Sequence, residues 1–410
     1  MIHVCYCFCD KTGRYAKFAG TSMLSLFDNT KSEVTVHLLH DETLTAENRD
    51  KFSYLAGRYN QRVKFYNLSE RCPDKIAEII KLVPDAEKAA VTIGAFYKLL
   101  IPQMLPANIK KAVFLDPDTI INLDINELWQ IELADKILGG VPEISNGANP
   151  DKAFLLCSEG IVESEDYFNC GVLLMNLELL RGEEEIIREG LDFRGKNPKH
   201  KYLEQTVLNY CFSARTLKLP VKFNRFVRLE RAGKEQIIEE KIYHYSGGAS
   251  RPGIDLNDVF NRLWLSYFIK TPLFSAESLG RLYEQFQKTR NEMKDVPLKL
   301  AAIMPGKMRA FFIDPAKLKT MTAAFAIKPY EEVILAENEK SLKQLIEAMK
   351  TYKGMSVFFI LTEKFLKKKF PIELLQREGF TEDKDFVKAW NFLPDAQGVK
   401  FDSYSLLKTM

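Results

Sequence analysis

The sequence predicts an α/β protein, with a mixed, mainly parallel sheet wrapped by helices and a smaller α/β domain behind it. Three observations predict it. Over the first hundred residues, short apolar runs alternate with helical segments, the rhythm of a parallel sheet covered on both faces. A shorter strand–helix–strand pattern recurs from Glu331 to Leu361. Between the two, a stretch punctuated by Pro297, Pro305 and Pro315 reads as a boundary. These place a first domain over 1–270, a helical linker region over 271–325 and a small domain over 326–410.

The elements follow in order. Ile2 to Cys9 is an apolar run and reads as a buried strand, with Cys5, Cys7 and Cys9 on one face. Ala16 to Phe27, small and apolar, suits a helix lying on the sheet. Val34 to Leu39 is a second strand, and Thr45 caps the next helix. Arg62 to Leu68 and Lys111 to Leu115 are further strands, the latter stopping at Asp116-Pro117-Asp118. Asp124, with Glu127 three places on, reads as a capping box. Ile137 to Pro142 and Asn169 to Asn176 suggest a hairpin-like, mixed part of the sheet. A helix over Tyr202 to Cys211 and a strand over Ile242 to Ser246 close the domain. Ser275 to Lys294 is charged and helical, and the small domain holds strands at Glu331–Ala336 and Met355–Leu361 around a helix over Ser341–Lys350.

Composition narrows the function classes. In 410 residues, 46% are hydrophobic and 28% charged, so a full core forms without staples. A net charge of +3 and the lack of a basic, aromatic-laced stripe argue against nucleic acid as a partner. The seven cysteines are odd in number and none is spaced Cys-x-x-Cys, so they read as small buried hydrophobes in a reducing compartment. The N-terminus lacks the features of a signal peptide, and no run is long enough to span a bilayer. We expect a cytoplasmic protein, at most peripheral to the inner face of the membrane; Lys364-Phe-Leu-Lys-Lys-Lys369-Phe is the segment that could touch anionic lipid. The plainer reading of that segment is a solvated helix face.

Chemistry concentrates where the Lys111–Leu115 strand stops. In extended backbone, residues i and i+2 point to one side, so Asp116 and Asp118 face one spot. Ligands of open parallel sheets collect beyond the carboxyl ends of the strands. Two hard oxygen donors there suit Mg²⁺ or Mn²⁺, which bridge to diphosphate oxygens. Read alone, the pair is also consistent with two acids flanking a turn.

Five blocks, in order over residues 1 to 265, carry a resemblance. Phe96-Tyr-Lys98-Leu-Leu-Ile-Pro is similar to a Tyr-x-Arg-Leu segment, and Val113-Phe-Leu-Asp-Pro-Asp-Thr119 with Asp124 to Trp129 to an Asp-x-Asp block with a trailing Leu-Trp. Tyr167-Phe-Asn169-Cys-Gly171-Val matches Phe-Asn-x-Gly-Val, and Glu204-Gln205-Thr-Val-Leu-Asn209 resembles Asp-Gln-x-x-Leu-Asn. His244-Tyr-Ser-Gly247, then Arg251-Pro252, resembles His-x-x-Gly-x-x-Lys-Pro-Trp. Together they resemble the family 8 retaining glycosyltransferases, the group of glycogenin and the bacterial lipopolysaccharide glucosyl- and galactosyltransferases.

The resemblance implies a GT-A-type, Rossmann-like nucleotide-sugar-binding domain. It implies transfer of a hexosyl group from a UDP-sugar, UDP-glucose or UDP-galactose favoured, to a hydroxyl of a glycan or lipid-linked acceptor of lipopolysaccharide type. Mn²⁺ (or Mg²⁺) would be held by Asp116, Asp118 and His244. Gly247 and Arg251 would touch the diphosphate, and Lys98, Glu143, Asn169, Gly171 and Glu204 would belong to the donor site. Gln205 would lie beneath the anomeric carbon, forming the catalytic set with Asp116 and Asp118. Cys9 and Asp10 would edge the nucleoside. A role in acceptor docking or oligomer contact is expected for the small domain, because Ala336-Glu-Asn-Glu339 replaces the Gly-x-Gly turn of a dinucleotide site.

Departures accompany the match. Glu204 stands for Asp, Thr206 where many relatives have a second acid, and Lys98 for Arg. Ser250 is inserted before Arg251, which replaces Lys, and Gly253 replaces Trp. Such exchanges keep charge but change geometry, which makes a catalytically silent nucleotide-sugar-binding protein the main rival. A haloacid-dehalogenase-type phosphatase also uses Asp-x-Asp after a strand. That pattern wants Gly-Thr after the second Asp and lies early in its domain, whereas here Thr119 follows Asp118 directly.

Overall fold

The computed structural model describes residues 1–86, 93–233, 236–247, 251–252, 257–275, 280, 307–315, 318–325, 327–362 and 371–388. The chain divides into two compact units, Met1–Ala276 and Glu277–Asp402. Strands of the first unit are β1 (Ile2–Phe8), β2 (Val34–His40), β3 (Arg62–Asn67), β4 (Lys111–Leu115), β5 (Thr119–Ile121), β6 (Leu138–Pro142), β7 (Phe168–Asn176), β8 (Thr216–Lys218), β9 (Arg225–Phe226) and β10 (Ile242–His244). The main sheet runs β3-β2-β1-β4-β7-β6-β8, and β5, β10 and β9 form a small second sheet. Within the main sheet only β7 opposes its neighbours, pairing antiparallel with β4 and β6. This is the mixed, mainly parallel α/β sheet that the alternating pattern predicts.

Local chemistry explains the helices. Arg14–Asn29 follows Gly13, whose φ of 71° turns the chain off β1 into the helix. Eleven of its sixteen residues are buried, in keeping with its small, apolar composition. Thr45 caps Ala46–Arg58 by accepting from the Asn48 N–H. The capping box at Asp124 forms only in part. Asp124 Oδ1 accepts from Asn126 N–H at 2.9 Å, but Glu127 turns outward to pair with Lys222 instead of reaching back. An exposed lysine offers that carboxylate a stronger partner than a backbone amide does.

In the second unit, β11 (Met308–Ile313), β12 (Glu332–Leu335), β13 (Val357–Leu361) and β14 (Phe386–Lys388) form an all-parallel sheet in the order β12-β11-β13-β14. Buried clusters lie on both faces, one around Phe311 and Ile360, the other around Phe312 and Phe359. By sequence, Met308–Ile313 falls inside the 271–325 linker. It is an internal strand of this sheet, because its apolar run, like any buried parallel strand, lacks the alternation that marks a surface strand. Asn338 caps the helix Glu339–Thr351, two residues before the predicted start, by accepting from the Lys340 and Ser341 N–H groups. The predicted helix over Ser275–Lys294 lies outside the described residues apart from Ser275 and Gly280, and Pro297, Pro305 and the Lys364–Lys369 segment lie wholly outside them.

Candidate active site

A cavity of about 340 Å³ opens where β1 and β4 end, walled by Cys7–Cys9, Asp116–Asp118, Asn169–Gly171, Lys201–Gln205, His244, Ser246, Gly247 and Arg251. The pairing of β10 with β5 brings His244 to its wall. His244 lies opposite Thr119 in that ladder, and the Tyr245 N–H donates to the Asp118 carbonyl at 2.9 Å. Residues far apart in sequence thereby meet. The Asp116 N–H donates to the Gly171 carbonyl at 2.7 Å, which brings β7 to the same point.

The two carboxylates do not converge through strand alternation. Asp116 to Thr119 is a turn closed by the Thr119 N–H on the Asp116 carbonyl at 3.2 Å, with Pro117 at its second position. Asp116, Asp118 and His244 then offer ligand atoms that all lie within 4.8 Å of one another. His244 Nε2 lies 3.3 Å from Asp118 Oδ1 and 3.7 Å from Asp116 Oδ2. Two carboxylate oxygens and an imidazole nitrogen form a donor set that fits a divalent cation of the Mn²⁺ class. Arg251 Nη1 stands 2.7 Å from Asp118 Oδ2. Burial opposes ionisation of Asp118, but Arg251 and His244 outweigh it and hold the carboxyl well below its usual range.

Lys98 is not a surface lysine: it is 2% exposed, behind the cavity wall. Its ammonium lies 3.0 Å from Glu204 Oε1 and 3.4 Å from Asp116 Oδ1, and donates to the Cys170 carbonyl at 3.1 Å. Burial alone would favour the neutral amine, but Asp116 and Glu204 more than reverse this and raise its pKa. Burial pushes the Glu204 carboxyl up, against the pull of Lys98 and with the push of Asp116.

A buried polar network backs the Asn169–Gln205 wall of the cavity. Asn169 Nδ2 donates to Glu143 Oε1 at 2.9 Å and to Gln205 Oε1 at 3.1 Å. Gln205 Nε2 faces Glu143 Oε1 at 3.3 Å and the Tyr167 hydroxyl at 3.5 Å. Glu143 is buried behind this wall, and burial raises its pKa although Asn169 and Gln205 both bond to it. Leu203, at φ 31°, occupies the left-handed region at the turn that delivers Glu204 and Gln205 to the cavity.

Gly171 has a steric role. A Cβ there would lie 2.1 Å from His244 Cε1, so only glycine admits the ring. Gly247 turns at φ 75°. Ser250 and Gly253 lie outside the described residues. Cys9 lines the cavity, its thiol donating to the Tyr97 hydroxyl at 3.6 Å.

Asp10 is placed off the cavity wall. Its carboxylate accepts from the Ala16 N–H and from Asn48 Nδ2, both at 3.1 Å, and so ties two helix starts to the end of β1. Burial lifts its pKa from 3.8 to about 6 despite those bonds. A carboxyl whose folded pKa is raised favours the fold while protonated, and that advantage fades as pH climbs from about 4 past 6. Asp10→Asn should therefore gain on the wild type by up to about 2–3 kcal/mol between pH 4 and pH 7, as read by urea unfolding at both pH values.

Sequence reading missed Asn224 and Tyr167 as site residues. Asn224 Oδ1 lies 2.9 Å from His244 Nδ1, and its Nδ2 donates to Asn169 Oδ1 at 2.8 Å. Nothing in Val221-Lys-Phe-Asn224 marks such a role, since no motif or periodicity singles out one asparagine.

A sequence profile described as "Glycosyl transferase family 8" matches residues 6–252. The chain belongs to that family. A lipopolysaccharide 1,2-glucosyltransferase of Escherichia coli is 27% identical over 252 residues, 59% of this chain and 70% of that protein. General stress protein A of Bacillus subtilis is 21% identical over 265 residues, 60% of this chain and 86% of its own. A glycosyltransferase-like protein of Haemophilus influenzae is 26% identical over 215 residues, and the match spans 51% of this chain and 60% of that protein. The crystal structure of the galactosyltransferase LgtC, in complex with donor and acceptor sugar analogues, superposes with a TM-score of 0.53 at 17% identity, covering 68% of this chain and 99% of that one. The family 8 chain thus has the GT-A-type fold and is a glycosyltransferase. Among the described residues no helix is long and apolar enough to cross a membrane.

Proposed function

We propose that this family 8 glycosyltransferase moves a hexosyl group, with retention, from a UDP-sugar to a hydroxyl of a glycan or lipid-linked acceptor. The observation that carries the reading is the Asp116–Asp118–His244 cluster, which opens into the same cavity as Gln205 and Arg251. Those three residues would hold Mn²⁺ (or Mg²⁺), which when bound supplies positive charge beside the leaving diphosphate. UDP-glucose or UDP-galactose is the favoured donor, in keeping with the family.

The residues themselves suggest how the sugar is handled. Gln205 is clamped on both ends of its amide, by Asn169 and the Cys170 N–H on the oxygen and by Glu143 on the nitrogen. An amide is a poor nucleophile, so its part is to hold the sugar, not to bond to it. Glu204 is pinned by Lys98, which leaves it poorly placed for attack. This favours attack from the face of the leaving group, with a phosphate oxygen of the donor taking the acceptor's proton. Arg251 would then grip that phosphate, exchanging Asp118 for the donor.

The expected result is UDP release from UDP-glucose or UDP-galactose that needs Mn²⁺ and stops on chelation. NMR of the transferred sugar should show an unchanged anomeric configuration. Turnover that persists in chelator, or an inverted product, overturns the proposal.

A further inference from the structure

We infer that Asn224 is a positioning residue: its amide sets which nitrogen of His244 faces the two aspartates. The inference rests on the metal-dependent reading above, and its argument starts from a backbone group. The Gly171 N–H can only donate, and it lies 2.9 Å from one terminus of the Asn169 amide. That terminus is therefore the oxygen. The Asn224 atom 2.8 Å from the same oxygen must then be its NH₂ group. Its other terminus, 2.9 Å from His244 Nδ1, is the carbonyl oxygen, which accepts and never donates. Nδ1 thus carries the proton, and the Nε2 lone pair is left for a cation shared with Asp116 and Asp118.

The surroundings remove the alternatives. Asn224 is fully buried, its backbone carbonyl accepts from Asn146 Nδ2 at 2.8 Å, and its backbone N–H donates to the Val221 carbonyl at 3.1 Å. The His244 ring cannot swing away, because the Gly171 backbone covers one side and the Phe226 ring meets it edge-on at 5.5 Å. Through Asn169, the same asparagine is joined to Glu143 and Gln205, so one hydrogen-bonded row links the cation ligand to the sugar side. A chain of amides anchored on a backbone donor has one consistent orientation.

Mn²⁺ affinity without substrate, read by electron paramagnetic resonance of the free ion, tests this on the full chain. Asn224→Leu keeps the branching of the side chain but removes the acceptor and should weaken Mn²⁺ binding about 10–100-fold. Asn224→Asp restores an acceptor for Nδ1–H and should recover Mn²⁺ affinity. It cannot donate to Asn169, so UDP-sugar hydrolysis should stay impaired in that variant. This split between metal affinity and turnover is one that a purely structural role would not produce. Wild-type Mn²⁺ affinity in Asn224→Leu overturns the inference, as does equal loss of affinity in both variants. A wild-type protein that binds no Mn²⁺ defeats the metal reading itself, a failure separable from the other two.

Discussion

Asp118→Asn is expected to lower UDP-sugar turnover about 10³-fold, the magnitude of losing one preorganised stabilising group at a developing anion, here the cation that Asp118 would help to hold. The amide keeps the shape of the side chain and removes only its charge. One carboxylate oxygen faces His244 and the other faces Arg251. On the proposed reading, the substitution removes an anionic ligand of the cation and releases the arginine that would meet the diphosphate. A stability cost comes with it, and its sign follows from the depressed carboxyl. Such a group favours the fold above its ordinary pKa and loses that contribution as pH falls. The deficit of Asp118→Asn should thus be present at pH 7 and vanish in strong acid. UDP-release kinetics with melting curves at both pH values check the two parts. Turnover within tenfold of the wild type would remove Asp118 from the centre of the site.

Lys98→Met should cost the fold about 3–5 kcal/mol at pH 7, the range for breaking a buried ion pair on one side. Methionine fills the space of the lysine stem, so packing loss is small and the effect reports charge. Glu204 and Asp116 would be left without the ammonium that sits 3.0 and 3.4 Å from them. Burial already drives the Glu204 carboxyl up, and without Lys98 it should take a proton nearer neutral pH. The deficit should accordingly shrink as pH is lowered, since neutral carboxyls need no partner. Urea unfolding at pH 7 and pH 5 reads this, and a deficit under 1 kcal/mol at pH 7 would show that the triad carries little of the stability.

Much of the site was legible because its signals are local. Asp116 and Asp118 end an apolar strand, and the ordered blocks from Phe96 to Pro252 point to His244, Asn169 and Gln205 by type and spacing. What those blocks leave open is depth. Lys98 and Glu143 belong to the donor set by resemblance, yet both lie behind the wall, because a charged side chain is buried only where partners surround it and partners are tertiary. Asp10, expected at the nucleoside edge, ties helix starts together for the same reason.

The turn at Asp116 shows the division most clearly. Sequence by itself determined that two acids, a proline and a threonine follow a buried strand, and that a histidine precedes a glycine-rich loop. It also determined the alternation that makes the sheet parallel. Only the tertiary structure decided that the acids converge through a turn, that β10 pairs with β5 to bring His244 beside them, and that Asn224 faces the ring from behind. Local steric and solvation preferences act within a few residues and can be read along the chain. The register of a ladder between residues 119 and 244 is set by the packing of the whole unit, and no short stretch of sequence records it.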